Sequence, residues 1–220
     1  SNAASAAIQG STTIPPVAFG ATGLAGQPSK LIFTVSPVTA TAGAAISPAV
    51  QVTAQDALGN TVTNATTSIT LAVTSGTGAA GVTLGGTPTQ ATVSGIATFS
   101  DLTVDKAATG YTLTGSASGL TSATSGAFAV NPGAAAKLAF AAQPSAATAG
   151  AALAPAVQVL VQDALGNTVT SATTGIALAI TSGTGAAGAT LGGTLTQAAV
   201  GGVATFSNLT LDKVGTGYTL

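Results

Sequence analysis

Acid/base or metal chemistry in this chain would have to come from five carboxylates, Asp56, Asp101, Asp105, Asp163 and Asp212, because its 220 residues contain no His, Cys or Glu. The closest spacing among them is Asp101 with Asp105, and a catalytic pair needs two carboxyls held on one cavity. The position 107 residues after Asp101 is Asn208, in an otherwise matching stretch, so one half of the pair is dispensable there. A loop pair is the expected role, and the predicted catalytic set is none.

Asp56 and Asn60 offer oxygen ligands of the kind Ca2+ takes, but without the dense Asp/Asn/Glu series that calcium loops carry. Asx side chains that cap their own turn account for both residues, and no metal or cofactor is expected. Lys30 and Lys137 stand at strand starts, where an amide crosslink to Asn or Asp is conceivable. Without Glu, Asp would have to serve as the proton shuttle beside such a bond, and edge gatekeeping by solvated lysines is the simpler expectation. Tyr111 and Tyr218 each follow Asp-Lys-x-x-Thr-Gly, a lead-in similar to the tyrosine corner of Greek-key sandwiches, and both are expected to bond nearby backbone. Sugar stacking would need several exposed aromatics, and there is no Trp. Thr61, Thr63 and Thr70 suggest either an ordered-water face or ordinary exposed strand positions. Asn64-Ala65-Thr66 and Asn208-Leu209-Thr210 match glycosylation acceptor triplets.

Composition narrows the partners. Four lysines, no Arg and a net charge of −1 leave no basic patch for phosphates or anionic lipid, so no nucleic acid is expected. Charged residues make up 4% of the chain against the roughly 25% usual for soluble domains, so Thr, Ser, Gly, Asn and Gln must carry solubility. Without Cys there is no disulfide framework or zinc cluster. No apolar run approaches the roughly 20 residues a helical span requires, and no membrane insertion is expected of this segment. Ser1-Asn2-Ala3 reads as the remnant of a cleaved expression tag, and the chain is expected to be a piece of a longer protein.

The elements that must hold these residues are written twice. Gln55-Asp56-Ala57-Leu58-Gly59-Asn60-Thr61-Val62-Thr63 returns as Gln162 to Thr170, 107 residues later, and the register holds from Lys30/Lys137 to Leu113/Leu220. Roughly seven positions in ten are identical, the mark of stacked copies of one unit. The apolar differences nearly conserve volume, as with Val73 against Ile180 and Ile96 against Val203. Leu31, Phe33 and Val35 alternate, as do Val50, Val52 and Ala54, opposite Gln51, Thr53 and Gln55. Ile69, Leu71 and Val73 are assigned inward, with Phe128 and Val130 completing the unit. Each nine-residue motif is a hairpin corner. Turn residues about every ten positions and no helical period argue for an all-β sandwich.

The expected organisation is a tag remnant and flexible linker over 1–28, with Val17-Ala18-Phe19 as an isolated strand, then one repeat over 29–131 and a second over 132–220. The second repeat has no counterpart of Thr114 to Val130. A sandwich without that strand exposes an open edge and an apolar row; either the segment was trimmed and its final strand lost, which is the simpler expectation, or an apolar segment of another molecule, with Ile14 to Phe19 the candidate, covers it by strand addition.

The order Lys-Leu-x-Phe (Lys30 to Phe33), Ala-Gly-x-x-x-x-Pro (Ala42 to Pro48), Val-x-Val-x-x-x-Asp-Ala-x-Gly-Asn-x-Val (Val50 to Val62), Gly-x-Ala-Thr-Phe (Gly95 to Phe99) and Gly-Tyr-x-Leu (Gly110 to Leu113) resembles bacterial immunoglobulin-like tandem repeats. These occur in large secreted and surface proteins, including the invasin and intimin adhesins. The resemblance covers nearly everything after residue 28. It implies two tandem seven-stranded immunoglobulin-like β-sandwiches, the second truncated before its last strand, used as an extracellular stalk or adhesion module and not as an enzyme. In such adhesins a separate terminal domain often makes the receptor contact. The partners it implies are neighbouring repeats of the same protein and a host or cell-surface protein or glycan. The other function class is a carbohydrate-binding accessory module of a secreted hydrolase, which exposed aromatic rows on one sheet would favour.

Overall fold

A computed structural model describes residues 2–6, 17–21 and 23–220. Among these every regular element is a strand, and no helix is long and apolar enough to cross a membrane. Strands β1 (Asn2–Ala6) and β2 (Val17–Ala21) pair antiparallel, Asn2 with Ala21 and Ala6 with Val17. The Val17–Phe19 strand is therefore paired, not isolated. An unpaired strand leaves its backbone donors and acceptors to water, and the Ala-rich stretch ahead of it is extended enough to satisfy them.

The first repeat runs through β3 (Lys30–Val35), β4 (Thr39–Thr41), β5 (Val50–Gln55), β6 (Ser68–Val73), β7 (Leu84–Gly85), β8 (Thr89–Ala91), β9 (Ile96–Phe99), β10 (Thr103–Val104), β11 (Ala108–Tyr111), β12 (Leu113–Ser116), β13 (Ala123–Thr124) and β14 (Phe128–Asn131). They form a β3-β5-β9 sheet, a β13-β12-β6-β8 sheet, a β11-β14-β4 sheet and a β7-β10 pair. Where the resemblance implies seven strands, Gly, Pro and bulges divide the repeat into shorter segments. One bulge falls between Phe33 and Val35, so the Leu31/Phe33/Val35 alternation loses its register at Thr34.

Val50, Val52, Ala54, Ala97 and Phe99 of one sheet meet Ile69, Leu71 and Leu113 of the other in a single core, which Tyr111, Phe128 and Val130 close at the side. Thr53 departs from the expected alternation and is buried. It lies on a central strand, flanked on both sides, and its hydroxyl is 3.1 Å from that of Thr34. Other threonines pair across strands in the same way, Thr70 with Thr89 at 2.9 Å and Thr74 with Thr114 at 2.8 Å. These pairs take the place that ion pairs occupy in more charged sheets.

The second repeat continues with β15 (Lys137–Ala142), β16 (Val157–Gln162), β17 (Gly175–Ala177), β18 (Leu191–Gly192), β19 (Thr196–Ala198), β20 (Val203–Phe206) and β21 (Thr210–Leu211). Its core gathers Leu153, Val157, Val159, Val161, Ile176, Phe206 and Leu209. The β15-β16-β20 sheet matches β3-β5-β9, but Leu138 is 56% exposed where its counterpart Leu31 is 6% exposed. In the first repeat the Thr121 carbonyl accepts from Leu31 N at 2.9 Å and β13 leans on β3, a cover that no described residue gives Leu138. Ile14 to Pro16 of the candidate covering segment lie outside the described residues.

The Val93–Ile96 turn reveals a small defect. Val93 and Ile96 exchange backbone bonds of 2.8 and 3.0 Å around Ser94 and Gly95, at φ +50° and +79°. The second repeat places Gly201 at the Ser94 position, with φ +60°. Ser94→Gly is expected to stabilise the first repeat by roughly 0.5 kcal/mol, the relief of left-handed strain exceeding the added unfolded-state freedom. A urea midpoint that falls instead of rising would refute this.

Candidate functional site: the corner between the repeats

The Asp-Ala-Leu-Gly-Asn corner is built around one buried carboxylate. Asp56 Oδ1 accepts from Leu58 N at 3.0 Å and Asn60 N at 2.8 Å, while Oδ2 accepts from Asn60 Nδ2 at 3.0 Å and Gly26 N at 2.9 Å. Gly59 sits at φ +92°, which closes the turn without a Cβ penalty. These donors, led by the Asn60 amide, hold the Asp56 carboxyl down at about 2 against an ordinary 3.8. Both oxygens are thus spent on the corner itself, and among the described residues no group of three or more His, Cys, Asp or Glu side chains could hold a metal ion.

The second corner repeats this geometry and adds a function. Asp163 accepts from Asn167 N at 2.8 Å, from Asn167 Nδ2 at 2.9 Å and from Gly133 N at 2.9 Å, so it grips the segment that links the repeats. Burial pushes the Asp163 carboxyl up, but the bonds from Asn167 and Gly133 together outweigh it and the group lies below the usual range. Asn167 then reaches back into the first repeat. Its Nδ2 donates to Asp105 O at 2.9 Å and its Oδ1 accepts from Ala107 N at 2.9 Å. Leu165 lies against Gly43, where a Cβ would come 3.0 Å from Leu165 Cδ1. Contact shows in exposure: Leu165 is 53% exposed and its counterpart Leu58, 88%.

The sequence identifies the corner but not this role, since read alone Asn167 is one more turn residue. A usable signal was present. The corner closes a hairpin, and a hairpin corner in tandem sandwiches lies at one end of the unit, where a short linker brings the next unit near.

The remaining candidates are scattered. Asp101 accepts from Thr87 N at 3.1 Å and Thr87 Oγ1 at 2.7 Å, whereas Asp105 accepts from Thr83 N at 2.7 Å, so each pins a different loop. The Thr87 hydroxyl and amide hold Asp101 below its ordinary value. Asn208 keeps the Asp101 arrangement, accepting from Thr194 N at 3.0 Å and donating to Thr194 Oγ1 at 2.9 Å. A threonine hydroxyl can donate or accept, so carboxylate and amide are interchangeable there. Asp212 lies below its ordinary value chiefly through Thr190 N.

Lys30 and Lys137 start the edge strands β3 and β15, and each Nζ makes an exposed bond into its corner, to Ala57 O at 3.4 Å and to Ala164 O at 3.2 Å. Lys106 and Lys213 likewise donate to Ala80 O and Ala187 O. Tyr111 OH donates to Lys106 O at 2.8 Å and accepts from Ala79 N at 3.2 Å, and Tyr218 OH donates to Lys213 O at 2.8 Å. Thr63 and Asn64 lie on an exposed turn, Thr66 is exposed just beyond it, and Thr61 bridges to Gln55.

The depressed carboxylates fix an acid limit. Asp56, Asp101, Asp163 and Asp212 all lie below the unfolded value near 3.8, so their contribution is complete above it and is lost as pH falls through the folded values. Thermal midpoints are expected to be flat down to about pH 4 and to drop between about 4 and 2. A midpoint that holds or rises on acidification would contradict the role given to the corner carboxylates.

No protein-family model and no curated protein matches the chain. Among solved structures it is similar to FdeC, described as a broadly conserved Escherichia coli adhesin eliciting protection against urinary tract infections. The identity is 22%, over 89% of this chain and 59% of that one, with a TM-score of 0.38.

Proposed function

We propose that the chain is a non-catalytic segment of a large secreted or cell-surface bacterial protein of the invasin- and intimin-like kind, in which tandem immunoglobulin-like sandwiches serve as a semi-rigid spacer contributing to adhesion. The observation that carries this reading is the Asn167 bridge. Two bonds of 2.9 Å tie the second corner to the backbone of the first repeat, and Asp163 holds Gly133 of the Asn131-Pro132-Gly133 link. A linker restrained by Pro and clamped at its last residue transmits orientation from one unit to the next. The units proposed are residues 29–131 and 132–220. Neighbouring repeats are the primary partner, with a host or cell-surface protein or glycan reached by other parts of the parent.

The carbohydrate-module reading loses its main support. Tyr111, Phe99, Phe128 and Phe206 are buried, and Phe33, Phe140 and Tyr218 pack against the cores, leaving no stacking platform among the described residues. Small-angle scattering of the 220-residue chain tests the spacer. One fixed two-body arrangement is expected to fit the profile, and a profile that requires a broad range of inter-repeat angles would sink the proposal.

A further inference from the structure

The chain holds two Asn-x-Thr triplets, Asn64-Ala65-Thr66 and Asn208-Leu209-Thr210, and the fold treats them in opposite ways. An acceptor of this kind must offer its carboxamide nitrogen to an incoming sugar and the hydroxyl two residues on to the enzyme that delivers it. Both groups must therefore be free and at the surface.

At Asn208 neither group is free. Its Oδ1 accepts from Thr194 N at 3.0 Å and its Nδ2 donates to Thr194 Oγ1 at 2.9 Å, so both ends of the amide are engaged. Leu209 is fully buried, and Thr210 lies in β21, paired with Gly192. A Cβ built at Gly192 would come 2.6 Å from Thr210 Oγ1, so this hydroxyl is pressed against the neighbouring strand.

At Asn64 both groups are free. Thr63 and Asn64 form an exposed turn and Thr66 is exposed, and among the described residues neither the Asn64 amide nor the Thr66 hydroxyl has a hydrogen-bond partner. The turn is fastened from beneath. Ala65 N donates to Val62 O and Val62 N to Ala54 O, each at 3.0 Å, while Thr92 Oγ1 donates to Ala65 O at 2.6 Å. Val62 and Ala65 are buried, so the core anchors the turn and the acceptor pair stays in water. The second repeat builds the same turn, with Ala172 N donating to Val169 O at 2.9 Å and Val169 N to Val161 O at 2.8 Å. Ser171 and Thr173 are exposed there, but Ser171 stands where the first repeat has Asn64.

We propose that Asn64 is an attachment site for an N-linked sugar, delivered by a separate transferase from a donor activated through an anomeric phosphate ester. The Asn64 Nδ2 attacks the anomeric carbon and forms a C–N bond. The bond from that carbon to the phosphate oxygen breaks, the phosphate leaves with the electron pair, and Nδ2 gives up one proton to the transferase's base, with no oxidation or reduction. A nucleoside diphosphate sugar and a lipid pyrophosphate sugar share this chemistry. On a chain with 4% charged residues, such a group supplies hydration that the side chains do not. The inference is independent of the spacer reading, because Asn64 takes no part in the contacts between the repeats.

Peptide mass mapping of the protein purified from the cells that make it provides the test. A saccharide mass is expected on the peptide that contains Asn64 and none on the peptide that contains Asn208. Asn64→Gln and Thr66→Ala should abolish the addition, and Thr66→Ser should retain it. Ser171→Asn, which writes Asn-Ala-Thr into the equivalent turn, should gain a second sugar. All three positions are exposed, so each variant should melt with the wild type. The unmodified 220-residue chain, incubated with the soluble fraction of those cells and UDP-glucose or with their washed membranes, separates the donors: labelling in the first assigns the nucleotide-linked sugar, in the second the lipid-linked one. An unmodified Asn64, a sugar that persists in Asn64→Gln and so sits on Thr63 or Thr66, equal occupancy at Asn208, a Ser171→Asn chain without a second sugar, or labelling by neither fraction would each overturn the proposal.

Discussion

Gly78→Ala is expected to destabilise the first repeat by roughly 2–4 kcal/mol, the sum of left-handed strain and overpacking. Gly78 has φ +67°, and a Cβ built there falls within the Tyr111 ring. The ring has nowhere to retreat. It is fully buried, its hydroxyl is held by Lys106 O and Ala79 N, and the Phe128 ring packs on it with centroids 5.7 Å apart. Gly185→Ala makes the same clash with Tyr218, which is half-buried beside an open groove and can shift into it. Its cost should be smaller, about 1–2 kcal/mol, mostly backbone strain. Urea unfolding followed separately for the two repeats would check the pair. Equal costs would mean that burial of the tyrosine does not control the penalty.

The second large effect concerns orientation more than stability. Asn167→Ala removes both bonds to the first repeat and one within the corner, and should weaken coupling between the repeats by about 1–2 kcal/mol. Asn60→Ala is the matched control: it removes only the bond to Asp56. Residual dipolar couplings should show two independently tumbling repeats in Asn167→Ala and one alignment frame in Asn60→Ala. A shared frame in both variants would show that the Gly133 clamp and Leu165 are sufficient, and that the amide bridge is incidental.

Much of the fold is legible from alternation because one face of each strand must avoid water. Val50, Val52, Ala54, Ile69, Leu71, Phe128 and Val130 all point inward as their spacing requires. The pattern fails where neighbours decide burial. Thr53 is covered by the strands flanking it, and the bulge beside Thr34 shifts Val35 relative to its partner strand. Of the candidate site, the turn at Asp56 to Asn60 follows from residue types alone, as does the hydroxyl-to-backbone bond of both tyrosines. The role of Asn167 does not follow from residue types, because Asn60 and Asn167 are the same letter in the same motif. They differ in the partners the described residues offer, since Asn167 also meets Asp105 O and Ala107 N, which is tertiary information. The edge position of Lys30 and Lys137 follows from their place at strand starts, but the carbonyl that each Nζ faces does not.

The Asn167 bridge ends on a backbone oxygen and a backbone nitrogen, never on a side chain of the first repeat. The receiving loop is therefore recognised by its path and not by its letters. Ala107 and its counterpart Val214 differ, as do Asp101 and Asn208 nearby, without altering what such a hook would meet. A joint of this kind is blind to sequence drift on its receiving side. For the spacer proposed, this means that repeats carrying the corner can be duplicated, deleted or reordered without any two of them having to change in step, and that its length becomes a matter of copy number alone.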